Sequence, residues 1–366
     1  MLTRLQLSDF RNYARADLEF SPGLNFIVGA NGSGKTSLLE GIYFIGSGGR
    51  SFRGGRLSRL VRDGTEAATL FAEVERLGVV HRIGIRRAPS GIETLRLDGA
   101  TPAALSDVAA LLPVLALHPQ SVDLLFGPAA LRRRFLDWGM FHVEHSFLGE
   151  WKEANRALRH RNALLRSGKS NIRELRYWDQ ILAGSSDRID QLRRVYLKRF
   201  SAQWQAALQR LAPGLDGVLS LQNGLRRGES FLDALNRTRE EDLRRGFSHT
   251  GFHRSDLRIT VEGVLARDRV SRGQAKILSY ALVLAQLPLI REAGKICTLL
   301  VDDLGSELDE HHRQTMMNYL AAGTHQTIIT AVDGAQPGFA ALKDNGTAIR
   351  MFHVEHGRIQ QVSDDP

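Results

Sequence analysis

The chain has 366 residues, of which 43% are hydrophobic and 24% are charged, proportions ordinary for a globular protein that folds throughout. Its longest apolar runs, of about ten residues, are too short to cross a bilayer, and the alternating N-terminus does not resemble a signal peptide. With a single cysteine as well, the chain is predicted to lie in the reducing cytoplasm, without a membrane partner.

Alternating polar and apolar residues predict a β-rich N-terminal region. Two strands precede a turn at Ser21-Pro22-Gly23, and a third, at 24–28, leads into a glycine-rich segment. After a helix that begins near Lys35, alternation returns and predicts an antiparallel meander. The strands of this meander are predicted at 70–75, 79–85 and 94–97.

The middle of the chain has a helical pattern, and strands return only near the C-terminus. The C-terminal strands are predicted at 298–301, 327–331 and 349–354 and are separated by helix-length segments, which is the α/β pattern. We therefore predict an α/β domain, called the head below, with a mixed sheet and an antiparallel β subdomain, that is interrupted by a mainly helical lobe. The predicted boundaries are 1–105 and 246–366 for the head and 106–245 for the lobe.

Positive charge is concentrated in that lobe. The formal net charge of the chain is +9, and residues 151–210 contain 14 Lys and Arg but 5 Asp and Glu, an equal surplus. Such a stretch favours a polyanionic partner such as DNA, although arginine-rich helices also serve as solvated faces. The side chains considered for nucleic-acid contact are Arg156, Arg159, Arg161, Arg166, Arg173, Arg176, Arg193, Arg194, Lys198, Arg199, Trp151, Tyr177 and Trp178.

One segment matches the phosphate-binding loop pattern G-x-x-x-x-G-K-[ST], between a predicted strand and a predicted helix. Its glycines allow backbone N–H groups to converge on phosphates, the lysine supplies positive charge, and the threonine hydroxyl suits Mg²⁺. The sequence therefore predicts that ATP is bound here. The residues are Gly29, Ala30, Asn31, Gly32, Ser33, Gly34, Lys35 and Thr36, with Ser37 next in the chain.

Two carboxylates end the apolar strand predicted at 298–301, where the carboxyl end of the strand is expected to meet the phosphates. Asp302 is predicted to hold Mg²⁺, and Asp303 to orient or deprotonate the attacking water. Alone, the pair could instead cap the next helix.

A second helix start carries a small polar motif, Ser271-Arg272-Gly273-Gln274, just before an apolar helix. A serine hydroxyl and a glycine backbone at the positive end of a helix can bind a second anion. A second phosphate site suits a chain that closes on the nucleotide of another protomer. An ordinary helix cap is the alternative.

Five segments, in this order and spacing, resemble the RecF family, which are compact relatives of the ABC-type and SMC ATPases. The resemblance extends over nearly the whole chain. The segments are Asp9-Phe10-Arg11-Asn12-Tyr13, the phosphate-binding loop, Arg134-Phe135-Leu136-Asp137-Trp138-Gly139, Ser271-Arg272-Gly273-Gln274, and Asp302-Asp303 followed by Ser306-Glu307-Leu308-Asp309.

The resemblance implies roles for single residues in an ABC-type head. Ser271 to Gln274 become the signature motif, which acts in trans across an ATP-dependent homodimer, and Asp309 belongs to the D-loop. Gln120 is the Q-loop candidate and a third Mg²⁺ ligand beside Thr36 and Asp302, and Arg11 approaches the nucleotide. Lys35 and Asp303 are the catalytic residues.

The resemblance also implies a function in recombinational repair, replication restart and the SOS response. An ATP-bound dimer is expected to bind single-stranded or gapped DNA, with RecR and RecO as partners in loading RecA. Some positions depart from the family pattern: Phe252 stands where proline is expected, and Ser255 where an acid is common. Asp303 replaces the glutamate of transporters, and no histidine lies near Thr330, which predicts slow hydrolysis.

Two other functions share the phosphate-binding loop. The ATPase subunit of a membrane ABC transporter shares the signature motif as well, but it has the catalytic glutamate and closer motifs. A small-molecule kinase does not need a second phosphate-binding helix. DNA-stimulated hydrolysis, membrane copurification and phosphoryl transfer to a metabolite distinguish the three.

Overall fold

The computed structural model describes residues 1–167, 172–303, 308–332 and 349–362. Its strands are β1 (Leu2–Phe10), β2 (Tyr13–Glu19), β3 (Leu24–Val28), β4 (Ala68–Arg76), β5 (Val79–Ala88), β6 (Gly91–Leu97), β7 (Val114–Leu117), β8 (Val218–Gln222), β9 (Asp256–Val261), β10 (Val264–Leu265), β11 (Thr298–Val301), β12 (Gln326–Ala331), β13 (Ile349–Glu355) and β14 (Arg358–Val362). Its α-helices are α1 (Lys35–Gly46), α2 (Leu105–Leu111), α3 (Asp123–Phe126), α4 (Ala129–Val143), α5 (Phe147–Ser167), α6 (Ile172–Leu211), α7 (Phe231–Arg245), α8 (Ala266–Arg269), α9 (Arg272–Glu292) and α10 (Glu310–Ala321).

The chain divides into two compact units. The first consists of Met1–Ser121, Arg210–Pro213 and Ile290–Pro366, and the second of Val122–Gln209 and Gly214–Leu289. The first unit is therefore assembled from both ends of the chain, as expected for an interrupted head.

An antiparallel sheet in the order β2-β1-β4-β5-β6 forms one layer of the first unit. Its strands alternate buried and exposed residues because one face packs on the core; Leu5 and Leu7 of β1 are fully buried. The predicted antiparallel strands and meander are confirmed by this pairing.

A second sheet, in the order β14-β13-β3-β12-β11-β7, is parallel except at the β13–β14 edge. Every residue of β3, β11 and β12 is buried, as is typical of parallel strands covered on both faces. The mixed sheet is confirmed. Strand β7 was wrongly included in the helical pattern, because a short apolar run does not distinguish a strand from a helix; it pairs in parallel with β11.

A buried amide joins the strands of the first unit. The side-chain oxygen of Gln326 accepts hydrogen bonds from the Leu2 N–H (3.0 Å) and the Thr298 hydroxyl (2.9 Å). Its amide nitrogen donates to the Leu2 carbonyl (2.7 Å) and the Ser21 carbonyl (2.9 Å). All of these atoms lie away from water, so their pairing offsets the cost of burying a polar side chain.

The second unit combines helices α3 to α9 with a three-stranded sheet, β10-β9-β8. The predicted lobe covered 106–245, whereas this unit consists of Val122–Gln209 and Gly214–Leu289. The lobe extends further because β9 pairs with β8, which brings the chain after residue 245 into the same unit. Gly139 in α4 allows close packing, since a Cβ there would lie 2.2 Å from the side-chain oxygens of Tyr196 and Gln286.

One described helix, α9, is long and apolar enough to span a membrane by length and composition alone. In the structure, however, 78% of its most apolar stretch is buried. A core helix of a folded domain has the same composition, so α9 is weak evidence for a membrane span.

Candidate functional site

The phosphate-binding loop connects β3 to α1 in the first unit. Gly34 has a φ of 124°, and a Cβ there would lie 2.5 Å from the Asn12 side-chain nitrogen. A Cβ at Gly29 would lie 2.2 Å from the Val354 carbonyl oxygen, a backbone atom that cannot turn aside. Both positions therefore require glycine, and the predicted loop adopts the strand–loop–helix context on which its interpretation depends.

Lys35 lies inside this loop and is 8% exposed. Its ammonium group donates hydrogen bonds to the carbonyls of Gly29 (2.6 Å) and Ala30 (2.9 Å). Burial lowers the pKa of Lys35, and the carboxylates of Asp303 and Asp302 partly oppose this shift. The loop thus holds a cation between its own carbonyls and the two aspartates predicted to act with it.

Two hydroxyl groups converge on Asp302 at the end of β11. The hydroxyls of Thr36 and Thr330 each donate to the same carboxylate oxygen at 2.9 Å. Burial raises the pKa of Asp302, and these two hydrogen bonds partly offset the increase. A buried carboxylate beside a threonine hydroxyl offers the oxygen ligands that Mg²⁺ prefers, so Thr36 and Asp302 fit the predicted metal site.

Asp303 has a left-handed backbone conformation, with a φ of 55°, and its N–H donates to the Thr330 hydroxyl at 2.9 Å. Aspartate tolerates this conformation better than most residues, so the strand can end with two carboxylates in succession. Thr330, at the end of β12, thus contacts both aspartates. These contacts of Thr330 were not predicted from the sequence, although a polar residue near the carboxyl end of a buried strand is a usable signal.

The loop and the two aspartates line one cleft of about 810 Å³ in the first unit. Three arginines that the sequence analysis overlooked also line it: Arg53, Arg59 and Arg62. The available signal was an arginine at every third position from Arg50 to Arg62. Positive side chains around such a cleft favour a polyanionic ligand. Its other lining residues are Arg11, Asn12, Asn31, Gly32, Gly34, Lys35, Thr36, Ser37, Val61, Asp63, Asp302, Asp303 and Thr330.

Arg11 lines the cleft, and its guanidinium group is paired with a fully buried carboxylate. The Nε and one Nη atom of Arg11 donate to the two oxygens of Glu40, at 2.8 and 2.7 Å. The hydroxyl of Ser51 donates to the same carboxylate, and Arg53 lies 3.8 Å from it. Glu40 therefore holds together the segments on which Arg11 and Arg53 reach the cleft.

Replacing Glu40→Gln is expected to lower the free energy of unfolding by about 3 kcal/mol, because it leaves a half-buried arginine without its charged partner. The measurement is the urea midpoint of the nucleotide-free protein. Glu73→Gln is the matched control, since its ion pair with Arg82 is exposed and is worth about 1 kcal/mol or less. Equal midpoints for the two variants would contradict the assigned role of Glu40.

Two predicted residues lie near β7 and α10 rather than in the described lining of the cleft. Gln120 follows β7, and its side-chain oxygen lies 2.8 Å from Nδ1 of His118. Asp309 caps α10, where its carboxylate accepts a hydrogen bond from the His312 N–H at 2.9 Å, which lowers the pKa of Asp309. Ser306 and Glu307, quoted for the resemblance, lie outside the described residues. The roles of Gln120 and Asp309 stay predictions.

The predicted signature motif belongs to the second unit, at the start of α9. The N–H of Ser271 donates to the Gln274 side chain at 3.0 Å, and the N–H of Gln274 donates to the Ser271 hydroxyl at 3.2 Å. This reciprocal pair is a capping box. All four residues from Ser271 to Gln274 are exposed, so their groups are accessible to a partner, while the ordinary cap alternative also fits.

Two of the arginines considered for nucleic-acid contact are buried instead. Arg161 is fully buried and pairs with Asp179 (2.6 Å) and Asp242 (2.7 Å). Arg193 is 1% exposed and pairs with Asp137 at 2.7 Å. Both therefore stabilise the second unit, since a buried arginine is tolerated only when it is paired. The local sequence does not distinguish them from the exposed arginines of the same helices.

Phe252 and Ser255, the two residues that depart from the family pattern, lie in a segment that arginine side chains hold in place. Arg193 donates to the Phe252 carbonyl (2.7 Å) and the Ser255 hydroxyl (2.6 Å), and Arg133 donates to the Ser255 carbonyl (2.7 Å). Phe252 and Ser255 are both buried. The departures thus serve packing and hydrogen bonding within the second unit.

Comparisons with known proteins agree over nearly the whole chain. A family model described as the RecF/RecN/SMC N terminal domain matches residues 1–360. The DNA replication and repair protein RecF of Chromohalobacter salexigens is 40% identical over 361 residues, covering 98% of this chain and 99% of that protein. The protein of the same name from Aliivibrio fischeri is 38% identical over 362 residues, with the same coverage.

Solved structures agree at the level of the fold. A structure described as the recombination mediator protein RecF-ATP in the RecFOR pathway superposes with a TM-score of 0.86 at 23% identity, covering 99% of this chain and 97% of that one. An SMC head bound to the C-winged helix domain of ScpA superposes with a TM-score of 0.62 at 17% identity, covering 100% and 98%. The predicted fold, an α/β ATPase head with a large helical segment, is thereby confirmed.

Proposed function

The chain belongs to the RecF family of DNA replication and repair proteins, and on this premise we propose that it is an ATP-dependent DNA-binding protein of recombinational repair. The observation that carries the proposal is the convergence of Lys35, Thr36, Asp302 and Asp303 on one arginine-lined cleft. Their chemistry fits a nucleoside triphosphate better than a neutral ligand.

In the proposed cleft, the chain binds the phosphates and places the reacting groups. N–H groups of the loop and the ammonium of Lys35 bind the phosphates. Thr36 and Asp302 would hold Mg²⁺, and the ion would supply positive charge to the phosphate oxygens. Asp303 accepts the proton of the water that attacks the γ-phosphorus, as ADP leaves. With an aspartate as the base, hydrolysis is expected to be slow and to act as a switch.

The second part of the proposal is a homodimer that ATP holds together. The Ser271 motif is exposed at the N-terminus of the long helix α9, where the helix dipole favours a negatively charged ligand. In the dimer, this motif contacts the triphosphate held by the partner, and Asp309 and Gln120 complete the site. Hydrolysis then releases the dimer.

The ATP-bound dimer is proposed to bind single-stranded or gapped DNA in the cytoplasm and to help load RecA, with RecR and RecO as partners. This role supports replication restart and the SOS response. Its basis is the family membership together with the basic composition of the chain. The nucleotide and the DNA are thus linked through the same dimer.

One experiment tests the nucleotide, the dimer and the DNA together. ATP hydrolysis and sedimentation are measured with and without gapped DNA, at two salt concentrations. The proposal expects ATP-dependent dimers, hydrolysis that changes with DNA, and DNA binding that weakens steeply with salt. If neither hydrolysis nor sedimentation responds to DNA, the ATPase subunit of a membrane transporter becomes the better explanation.

Asp303→Asn is expected to slow hydrolysis by at least about a hundredfold, because it removes the general base, while leaving ATP binding and dimerisation intact. Dimers should consequently persist long after ATP is added, which sedimentation over time measures. Asp63→Asn is the matched control, since Asp63 lines the same cleft without following β11. Variant dimers that dissociate as fast as those of the unchanged protein would remove Asp303 from this role.

A further inference from the structure

A group of exposed arginines lies where α5 ends and α6 begins. Along the later part of α6, Arg188, Arg193 and Arg194 all form ion pairs with carboxylates. Near the start of α6 and the end of α5, by contrast, three exposed arginines have no carboxylate partner in the described part of the chain. They are Arg159, Arg166 and Arg176.

Basic residues form a stripe on α5. Lys152, Arg156, Arg159 and Arg166 are all exposed, and their spacing of four, three and seven residues places them on one face of the helix. From Lys152 to Arg166 the stripe extends over fourteen residue steps, which is about 21 Å at the rise of an α-helix. Regularly spaced cations over such a length fit the repeated phosphates of one nucleic-acid strand.

Two exposed aromatic rings accompany the stripe, and a third ring is covered. Tyr177 is 55% exposed and Phe247 is 41% exposed. Trp178 is only 9% exposed, because the His160 ring stacks on it at 4.3 Å and the Arg156 guanidinium lies 5.7 Å from its centroid. Tyr177 and Phe247 are therefore the rings available to a ligand, whereas Trp178 serves packing.

The buried Arg161 places these side chains at one end of the unit. It binds Asp179 of α6 and both Asp242 and Ser248 at the end of α7. Tyr177 lies beside the stripe on α5, because its ring centroid is 5.1 Å from that of Trp178, which in turn lies 5.7 Å from the Arg156 guanidinium. Phe247 directly precedes Ser248. The end of α5 reaches the same place: a Cβ at Gly246 would lie 3.2 Å from Cγ of Arg166.

We propose that this basic and aromatic surface, formed by Arg156, Arg159, Arg166, Arg176, Tyr177 and Phe247, binds single-stranded DNA. The guanidinium groups neutralise phosphates, and the two rings stack on bases, which is the usual combination for single strands. Only unpaired bases present a face to an exposed ring, so the rings favour a single strand over a duplex. The inference rests on the proposed DNA binding and gives it a location and a preferred ligand.

The charge is tested with the triple variant Arg159→Ala, Arg166→Ala and Arg176→Ala. The matched control, Arg82→Ala, Arg86→Ala and Arg96→Ala, removes the same charge from the exposed face of β5 and β6. The probe is a fluorescent oligothymidylate, titrated at several salt concentrations with ATP present. The slope of log affinity against log salt should fall by about 2 for the triple variant, at about 0.7 per lost phosphate contact, and stay unchanged in the control.

The rings are tested with Tyr177→Ala, with Tyr177→Phe as its control because phenylalanine keeps the aromatic face. Tyr177→Ala is expected to weaken oligothymidylate binding by about five- to a hundredfold, and Tyr177→Phe by less than about threefold. Binding to the same strand annealed to oligodeoxyadenylate should change little in either variant. Equal losses for single strand and duplex would overturn the preference for single strands.

Three results would overturn the inference, and they can be distinguished. If the unchanged protein binds the oligonucleotide but the triple variant and its control behave alike, the surface is wrong while the proposed DNA binding stands. If the unchanged protein does not bind the oligonucleotide with ATP present, both the assigned surface and the proposed DNA binding are wrong. Stabilisation of each variant by ATP confirms that the first unit is folded, and an unchanged melting transition without nucleotide confirms the same for the second unit. Retained DNA binding combined with lost binding of polyglutamate would assign the surface to an acidic protein and overturn the inference.

Discussion

Lys35→Met is expected to weaken ATP binding by at least about thirtyfold and to abolish hydrolysis. The ammonium group is buried between two loop carbonyls and lies near Asp302 and Asp303, where the phosphates are proposed to bind. Loss of one partner of a buried charge pair costs about 2–5 kcal/mol, and each tenfold change in affinity corresponds to about 1.4 kcal/mol. Equilibrium binding of a fluorescent ATP analogue measures the effect.

The thermal stability of the nucleotide-free protein separates this loss from misfolding. Burial already lowers the pKa of Lys35, so an uncharged side chain of similar length is expected to leave the melting temperature unchanged or raised. The increase in melting temperature that ATP causes should disappear in Lys35→Met and persist in Lys295→Met, a half-buried lysine of the same unit. Normal stabilisation of Lys35→Met by ATP would refute the assigned phosphate site.

Ser271→Arg is expected to leave ATP binding by monomers intact and to weaken ATP-dependent dimerisation by about a hundredfold. In the proposed dimer, each Ser271 lies against the partner's triphosphate, so a bulky side chain disrupts both copies of the site at once. Two losses of about 1.4 kcal/mol each give this factor. Sedimentation at several protein concentrations, with a slowly hydrolysed ATP analogue, measures the dimer.

Ser271→Asp distinguishes a signature motif from a helix cap. Aspartate caps a helix about as well as serine, so the capping box of α9 and the stability of the protein should be preserved. Its negative charge would repel a triphosphate, so the dimer should still be lost. Ser271→Ala should instead cost about 1 kcal/mol of stability through loss of the cap. ATP-dependent dimers that form normally in Ser271→Asp would leave only the capping role.

The phosphate-binding loop could be predicted from sequence because its chemistry is local. Gly29 and Lys35 are six positions apart, and the strand and helix that flank them have clear patterns. The parallel strands β11 and β12 were predictable for a related reason, since continuous apolar runs between polar segments indicate strands buried on both faces. Strand β7 was not, because a run of four residues is too short to show a period.

Charged residues with tertiary partners could not be assigned in this way. Glu40 has the sequence context of an ordinary residue in a helix, yet it is fully buried against Arg11. Arg161 and Arg159 belong to one arginine-rich helix, yet the first is buried among carboxylates and the second is exposed. Their environments depend on residues far away in the chain, which no local pattern contains.

The sequence by itself determined the interrupted α/β head, the phosphate-binding loop and the pair of aspartates, because backbone sterics and hydrophobic periodicity act between near neighbours. Only the tertiary structure decided which charges serve stability and which remain available to a ligand. It placed Thr330 against Asp302, added Arg53, Arg59 and Arg62 to the cleft, and left basic and aromatic side chains exposed at one end of the second unit. Burial and pairing are long-range properties, since they depend on what the folded chain brings within a few ångströms.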